Sequence, residues 1–416
     1  MFEGNDHEVN ITGNSDWEGL FKINGSSGLS DAPAIHNVHI IGGETSITGG
    51  FVVQSGQKHF IVESCSSTGV IKRNGGGICG EDCSGDVLIT NSWSTGKILG
   101  ARAGGIAGRQ FGHHGDGNTV NISHCHSTGD IAGDWSGGIC GHRVGHEDGK
   151  VTIVQSYSTG KIKGFHSGGI CARAAGHTHG KVVIEQCSSL GEISGQGSGG
   201  ITGAFTAHIR GHVSITNCFS REDITGSGHA GGICGYRTGS APGGHGHVGT
   251  VMLTNVYASG NITDDDAGGL IGEIDTEAKN ISITMSVYNG NTGDIIGGDK
   301  GATSPEKNSG NLHDITGSVY CYDGDRPESK ECWDDEKIWQ IVGSDFPILQ
   351  GVPFSHYLTP STSPRPTETS TPSLTSRPTS SNTGSQTPSS SQILKPKRIV
   401  FTQLLVQRPR RRVVNK

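Results

Sequence analysis

A double glycine followed by an aliphatic residue recurs along this chain at nearly constant spacing, and no other feature limits its fold as severely. The pairs are Gly76-Gly77, Gly104-Gly105, Gly137-Gly138, Gly168-Gly169, Gly199-Gly200, Gly231-Gly232 and Gly268-Gly269, with steps of 28, 33, 31, 31, 32 and 37 residues. Periods of this size mark arrays whose units bury apolar side chains only against their neighbours. The unit from Val151 to Gly180 reads VTIVQSYSTGKIKGFHSGGICARAAGHTHG. Val151 and Ile153 alternate with other residues, which is the period of a strand. YSTGKI follows, then Gly168-Gly169-Ile170, then a loop rich in Gly and His. No segment repeats apolar residues at helical spacing, and 69 glycines are too many for helices.

Short β-branched runs separated by glycine predict one coil of a solenoid per unit. The expected fold is all-β: a right-handed parallel β-helix (β-solenoid) of about seven to nine coils with a disordered C-terminal tail. Stacking at about 4.8 Å turns equivalent side chains into ladders. Three core ladders are expected. They are Ile78, Ile106, Ile139, Ile170, Ile201, Ile233 and Leu270; Ile71, Ile98, Ile131, Ile162, Ile193, Ile224 and Ile262; and Ile89, Ile122, Ile153, Ile184, Ile215 and Leu253. The paired glycine is expected to serve coil corners, where positive φ or close backbone approach is needed.

An apolar fraction of 31% excludes a large globular core. No apolar run reaches the roughly 18 residues of a membrane span. The opening MFEGNDHEVN lacks the basic and apolar regions of a signal peptide. Net charge is −7, but Ser361 to Lys416 holds ten Lys/Arg and one acid, a balance of +9 that leaves −16 on the rest. So acidic a body gains nothing from counterion release, which argues against nucleic acid as its partner.

The stretch CHSTGDIAGDWSGGICG, Cys125 to Gly141, resembles the GLUG repeat of bacterial, protist and viral surface or adhesin-like proteins. GGLIG at Gly268 to Gly272 is nearest to that wording, and CWDDEKIWQIVGSDFPILQ, Cys332 to Gln350, resembles the closing segment of such arrays. The resemblance spans roughly residues 40 to 350. It implies a parallel β-helix and an extracellular or cell-surface, adhesive setting. It supplies no catalytic or cofactor-binding residues. The chain departs from the pattern in its GGIC wording and its His-bearing loops.

Boundaries follow from composition. Residues 1–48 read as leading coils or a cap, 49–298 as the repeats, 299–355 as a C-terminal cap and 356–416 as a Ser/Thr/Pro-rich, then basic, tail. In the cap, Trp333, Trp339 and Phe346 are suited to covering an apolar end.

Candidate chemistry is sparse. Cys65, Cys125, Cys187 and Cys218 share one repeat position with Ser92 and Ser156, and Cys79, Cys140, Cys171 and Cys234 share another. Alternation with small residues predicts stacked buried side chains rather than metal or redox chemistry. Cys321 and Cys332, in the cap, are better placed for a disulfide. The loop after each double-glycine strand carries His113, His114, His142, His146, His177, His179, His208, His212, His245 and His247, half of the 20 histidines. Of these, His177, His179, His245 and His247 are the metal candidates. Arg109, Arg143, Arg173 and Arg237 share that edge and disfavour a cation. A polar loop copied with the repeat is the plainer explanation. Thr68, Thr95, Thr128 and Thr159 form a hydroxyl column that Leu190 and Arg221 interrupt. The one dense acid run, Asp264-Asp265-Asp266, faces Gly and Ser or Gln in preceding units, so paired catalytic carboxylates are not expected. Sequons begin at Asn10, Asn24, Asn121, Asn261 and Asn280.

The expectation is a non-catalytic, surface or ligand-display repeat protein that binds glycan or protein through its loop edges. No cofactor is expected. A carbohydrate-active lyase or hydrolase and a His-edge metal binder are the alternatives.

Overall fold

The structure is a computed structural model. It describes residues 1–297 apart from 13–15, 24–27, 29, 115–117, 241–247, 275–277, 279, 285 and 289–295, together with the strands Tyr322–Asp323, Arg326–Pro327, Trp339–Ile341 and Pro347–Leu349. Among these residues there is no helix. The repeats form a parallel β-solenoid of about eight turns. Each unit supplies one longer strand, one two-residue strand and isolated bridges through the Ile and Gly positions.

Register explains why the ladders hold. Val120, Val151, Val182, Val213, Val251 and Ile281 pair in succession, as do Ile122, Ile153, Ile184, Ile215, Leu253 and Ile283. Every one is buried. Between them, Thr152, Val183 and Ser214 face outward and are half-buried. A second wall carries Ile71, Ile98, Ile131, Ile162, Ile193, Ile224 and Ile262, bridged one to the next. The third carries Ile78 through Leu270, where each Ile N–H donates to the Ile or Leu carbonyl of the following coil. All of these aliphatic side chains are buried, so the three expected columns are the core.

The glycine pair has a narrower cause than a corner. Neither residue of the pair has positive φ. Both are glycine because nothing larger fits. A Cβ on Gly138 would stand 2.1 Å from the Gly169 carbonyl oxygen and 2.5 Å from Ser158 Cβ. The same collision, against Ser94, Ser127, Ser189 and Ser220, meets Gly77, Gly105, Gly169 and Gly200. These serines share one position on the facing wall, the Ser of STG at Ser94, Ser127 and Ser158; the hydroxyls of Ser67 and Ser94 lie 3.3 Å apart there. The two recurring motifs therefore press against each other across the narrow part of the coil.

The nine described cysteines are free and buried, and all but Cys83 lie in the two columns expected of small side chains. Cys187 N–H donates to Cys218 Sγ at 3.4 Å, and Ser92 and Ser156 hydroxyls take the same place for Cys65 and Cys125. Burial pushes the Cys125 thiol up to about 12 and the Cys65 thiol to about 11, so neither is a nucleophile near neutral pH.

At the leading end, Phe2–Asn10 pairs with Ala34–Ile41, Asp16–Trp17 pairs with Glu44–Thr45, and Phe21 bridges Val53. Residues before Ala34 thus contribute to every wall. At the other end, Tyr322–Asp323 pairs with Arg326–Pro327 and Trp339–Ile341 with Pro347–Leu349, both antiparallel. The rest of the expected cap, the Cys321 and Cys332 pair and the tail lie outside the described residues.

Candidate binding face at the coil corners

Positive φ recurs on either side of the glycine wall, as it does after the longer strand of each coil at Ser64, Asn91, His124, Gln155, Gln186, Asn217 and Asn255. Two positions before the pair stand Asn74 (φ 60°), Arg102 (66°), Trp135 (57°) and His166 (56°), followed at the equivalent place by Gly197 (61°). Beyond the wall stand Asp82 (59°), Gln110 (54°), Arg143 (63°), Ala174 (64°), Phe205 (59°) and Arg237 (51°). A left-handed conformation costs an ordinary residue about 1–2 kcal/mol, which glycine avoids. Gly197 shows the inexpensive solution. Bulky residues held in this conformation concentrate at functional positions.

The two corners adjoin. His142 N–H donates to the Arg102 carbonyl, and Tyr236 N–H to that of Gly197. Side chains of one coil's first corner therefore lie beside the second corner of the next. An alternating series of cations and rings results. The Arg102 guanidinium lies 4.7 Å from the Trp135 ring centre, and Arg173 lies 5.2 Å from the same ring and 4.4 Å from Phe205. Phe205 meets Tyr236 edge-on at 5.7 Å, and Arg237 lies over Tyr236 at 5.2 Å. His166 is stacked on Phe165 at 3.6 Å and on Tyr236 at 5.4 Å. The series crosses five coils, roughly 19 Å at sheet spacing. Each guanidinium–ring pair contributes about 0.5–1 kcal/mol at such exposed sites.

Like charges crowd this face. Glu81, nearly buried, pairs with Arg109 and also accepts from Asn74 Nδ2 at 3.1 Å. Arg102, Arg143 and Arg173 are in no ion pair with a described residue. Burial lowers the Arg102 pKa, and Arg109 and Arg73 lower it further. Burial, then Arg143 and Arg102, does the same to Arg173. His142 Nε2 accepts a 3.1 Å hydrogen bond from Arg173 Nη1. Burial, reinforced by Arg173, Arg143 and Arg102, keeps its imidazole neutral. Arg102 Nε, Arg143 Nε and Trp135 Nε1 have no hydrogen-bond partner among the described residues.

At one end of the series lies an open cavity of about 280 Å³, lined by Arg73, Ala101, Arg102, Asp134 and Trp135. Arg73 and Asp134 are exposed, while Arg102 and Trp135 are half-buried. Asp134 is engaged by the Phe165 N–H at 2.9 Å.

The histidine loop divides. His146, His177 and His208 follow one another coil on coil with ring centres 4.8 and 4.7 Å apart, the first pair stacked and the second tilted by 33°. His113 packs instead on His114, at 4.2 Å. His142 belongs to the arginine corner, and His212 opens the strand His212–Thr216. Nearly parallel rings, 7° apart for His146 and His177, direct their nitrogens side by side rather than toward one point. His177 Nδ1 is taken by Thr178 Oγ1 at 2.5 Å. His179 is exposed, 4.0 Å from Asp148. His245 and His247 lie outside the described residues. Among the described residues no three His, Cys, Asp or Glu are grouped to hold an ion. Asp264 accepts from the Asp266 N–H at 2.9 Å, so that acid run closes a turn of its own.

No protein-family model matches the chain, and neither the curated proteins nor the solved structures give a significant match.

Arg109, Arg143, Arg173 and Arg237 are legible in the sequence as one edge. Arg102, Trp135, Phe205 and Tyr236 are not, because they come from two repeat positions that only coiling brings together. The available signal is AR, DW and FH standing directly before a small residue and the glycine pair, at Ala101-Arg102, Asp134-Trp135 and Phe165-His166.

Proposed function

We propose that this protein is a non-catalytic ligand-display solenoid whose arginine–aromatic corner face binds a glycan. The observation that carries this reading is the series from Arg102 through Trp135, Arg173, Phe205 and Tyr236 to Arg237, with Arg102, Trp135, Phe205 and Arg237 on backbone that glycine would adopt more easily. Flat rings offer stacking surfaces to pyranose faces, and guanidinium forks offer directional hydrogen bonds. The GLUG-like wording around Cys125 to Gly141 supports a surface or adhesive setting. A glycan array probed with the full chain tests the reading. Selective retention of a class of glycans, without its cleavage, is the expected result. No retention on any glycan, or turnover of a polysaccharide, overturns it.

A further inference from the structure

We infer that the cavity lined by Arg73, Arg102 and Trp135 is the subsite for an anionic sugar, one that bears a carboxylate or sulfate on its ring. The inference rests on the glycan-binding reading and names its ligand class.

Charge complementarity argues for the anion. On a body of net charge −16, this face gathers Arg73, Arg102, Arg109, Arg143 and Arg173 close enough that several depress one another's pKa. Only Arg109 is answered by an ion pair with a described carboxylate. Repelling guanidinium groups at a half-exposed position are costly unless an anion joins them. Arg102 lines the cavity, and its guanidinium suits a planar carboxylate or a sulfate. Asp134 also lines the cavity, where its Oδ1 accepts from the Phe165 N–H and its single charge is outnumbered by those of Arg73 and Arg102.

The ring argues for a sugar. Trp135 is half-exposed at the cavity wall, and its indole N–H has no partner among the described residues. The half-exposed ring face fits a pyranose, which offers C–H groups on its own face. A volume of about 280 Å³ admits a single ring, and the open wall lets a chain continue along Arg173 and Phe205. Nucleic acid is disfavoured because the acidic body around the face repels a polymer with a charge on every unit.

The test uses the full chain with the charge of its basic tail reduced by Lys395→Gln, Lys397→Gln, Arg398→Gln, Arg410→Gln, Arg411→Gln and Arg412→Gln, so that the tail captures anions less. Four probes are titrated calorimetrically: an oligouronate, a sulfated oligosaccharide, a neutral oligosaccharide of equal length and a single-stranded oligonucleotide. One of the anionic sugars is expected to bind, about tenfold tighter than the neutral one, and the tighter of the two identifies the anionic group. Arg102→Gln is expected to weaken that complex about tenfold. Trp135→Gly is expected to weaken both acidic and neutral ligands, and it puts glycine where Gly197 already stands at φ 61°. Arg173→Gln provides a second charge variant should Arg102→Gln not fold, as judged by circular dichroism.

Equal binding of neutral and anionic sugars, or wild-type affinity in Arg102→Gln and Arg173→Gln, overturns the anionic subsite and leaves the glycan reading standing. Binding of no sugar overturns both. Oligonucleotide binding that exceeds sugar binding and is lost in Arg102→Gln overturns the sugar in favour of nucleic acid.

Discussion

The inner walls and the outer corners of this solenoid are written by the same repeats but obey opposite rules. Inside, one position is Ile at Ile78, Ile106, Ile139, Ile170, Ile201 and Ile233, and all are buried. Outside, the position before the glycine wall runs Asn74, Arg102, Trp135, His166, Gly197 and His229, with only His used twice. The interior column must match itself because each side chain packs on its own copy one coil away. In the corner column Arg102 and Trp135 are partly exposed, so their chemistry is freer to change. The column departs from glycine toward large and charged residues at a backbone cost of about 1–2 kcal/mol each. Uniformity marks what holds the coil closed, and variation at a cost marks what the coil presents.

Substitutions can break that contrast. The largest effect is expected from Gly169→Ala, whose Cβ would fall 2.2 Å from the Gly200 carbonyl oxygen and from Ser189 Oγ. Backbone must move to admit it, and a loss of about 4 kcal/mol is expected in urea unfolding. A stability near wild type would mean that the facing walls are not in contact. Ile170→Ala should cost about 3 kcal/mol through the cavity it leaves, read as a lower thermal midpoint.

The third prediction concerns pH and sets corner against core. Burial depresses His146 to about 4 and His166 and His177 to about 3, from an ordinary value of 6.5. Below pH 6.5 the unfolded chain takes up protons that the folded chain refuses, so stability is flat above that value and falls as pH drops toward 4. A total loss of about 2 kcal/mol is expected over that window. The urea midpoint should fall accordingly, and His177→Asn should flatten the fall. An unchanged midpoint in the wild-type protein would place these rings in water.

The smallest effect should come from Trp135→Gly. Lost stacking with Arg102 and Arg173 is offset by relief of the left-handed backbone, leaving the thermal midpoint within about 1 kcal/mol of wild type. Glycan retention should nonetheless drop. A large loss of stability with retention intact would make the corner structural and erase the contrast.

The interior was the more legible half. Alternation at Val151 and Ile153, and the spacing of the glycine pairs, were enough to place the Ile columns and both cysteine columns, because a core ladder repeats one residue type at one position. The role of Gly138 and Gly169 was only half legible. Close approach could be anticipated, but the facing partner, Ser158 or Ser189, is set by how the walls fold across each other. The corner face was less legible still. Trp135 and Arg173 lie 38 positions apart in sequence and meet because one coil returns above another. The histidines shared a loop position, yet His146, His177 and His208 follow one another rather than converge, since in-register coils carry equivalent rings to parallel places.

Register has one more consequence. Lys150 pairs with Lys181 and Lys181 with His212, each 31 residues on, and Val120 stands the same distance before Val151. Excising residues 150–180 would bring Val120 opposite Val182 with every inward side chain still inward. Unequal recombination can therefore shorten or extend this gene by whole units without a misfolded intermediate. The number of guanidinium–ring contacts a ligand chain can span then becomes a quantity that evolution counts in steps, one coil at a time.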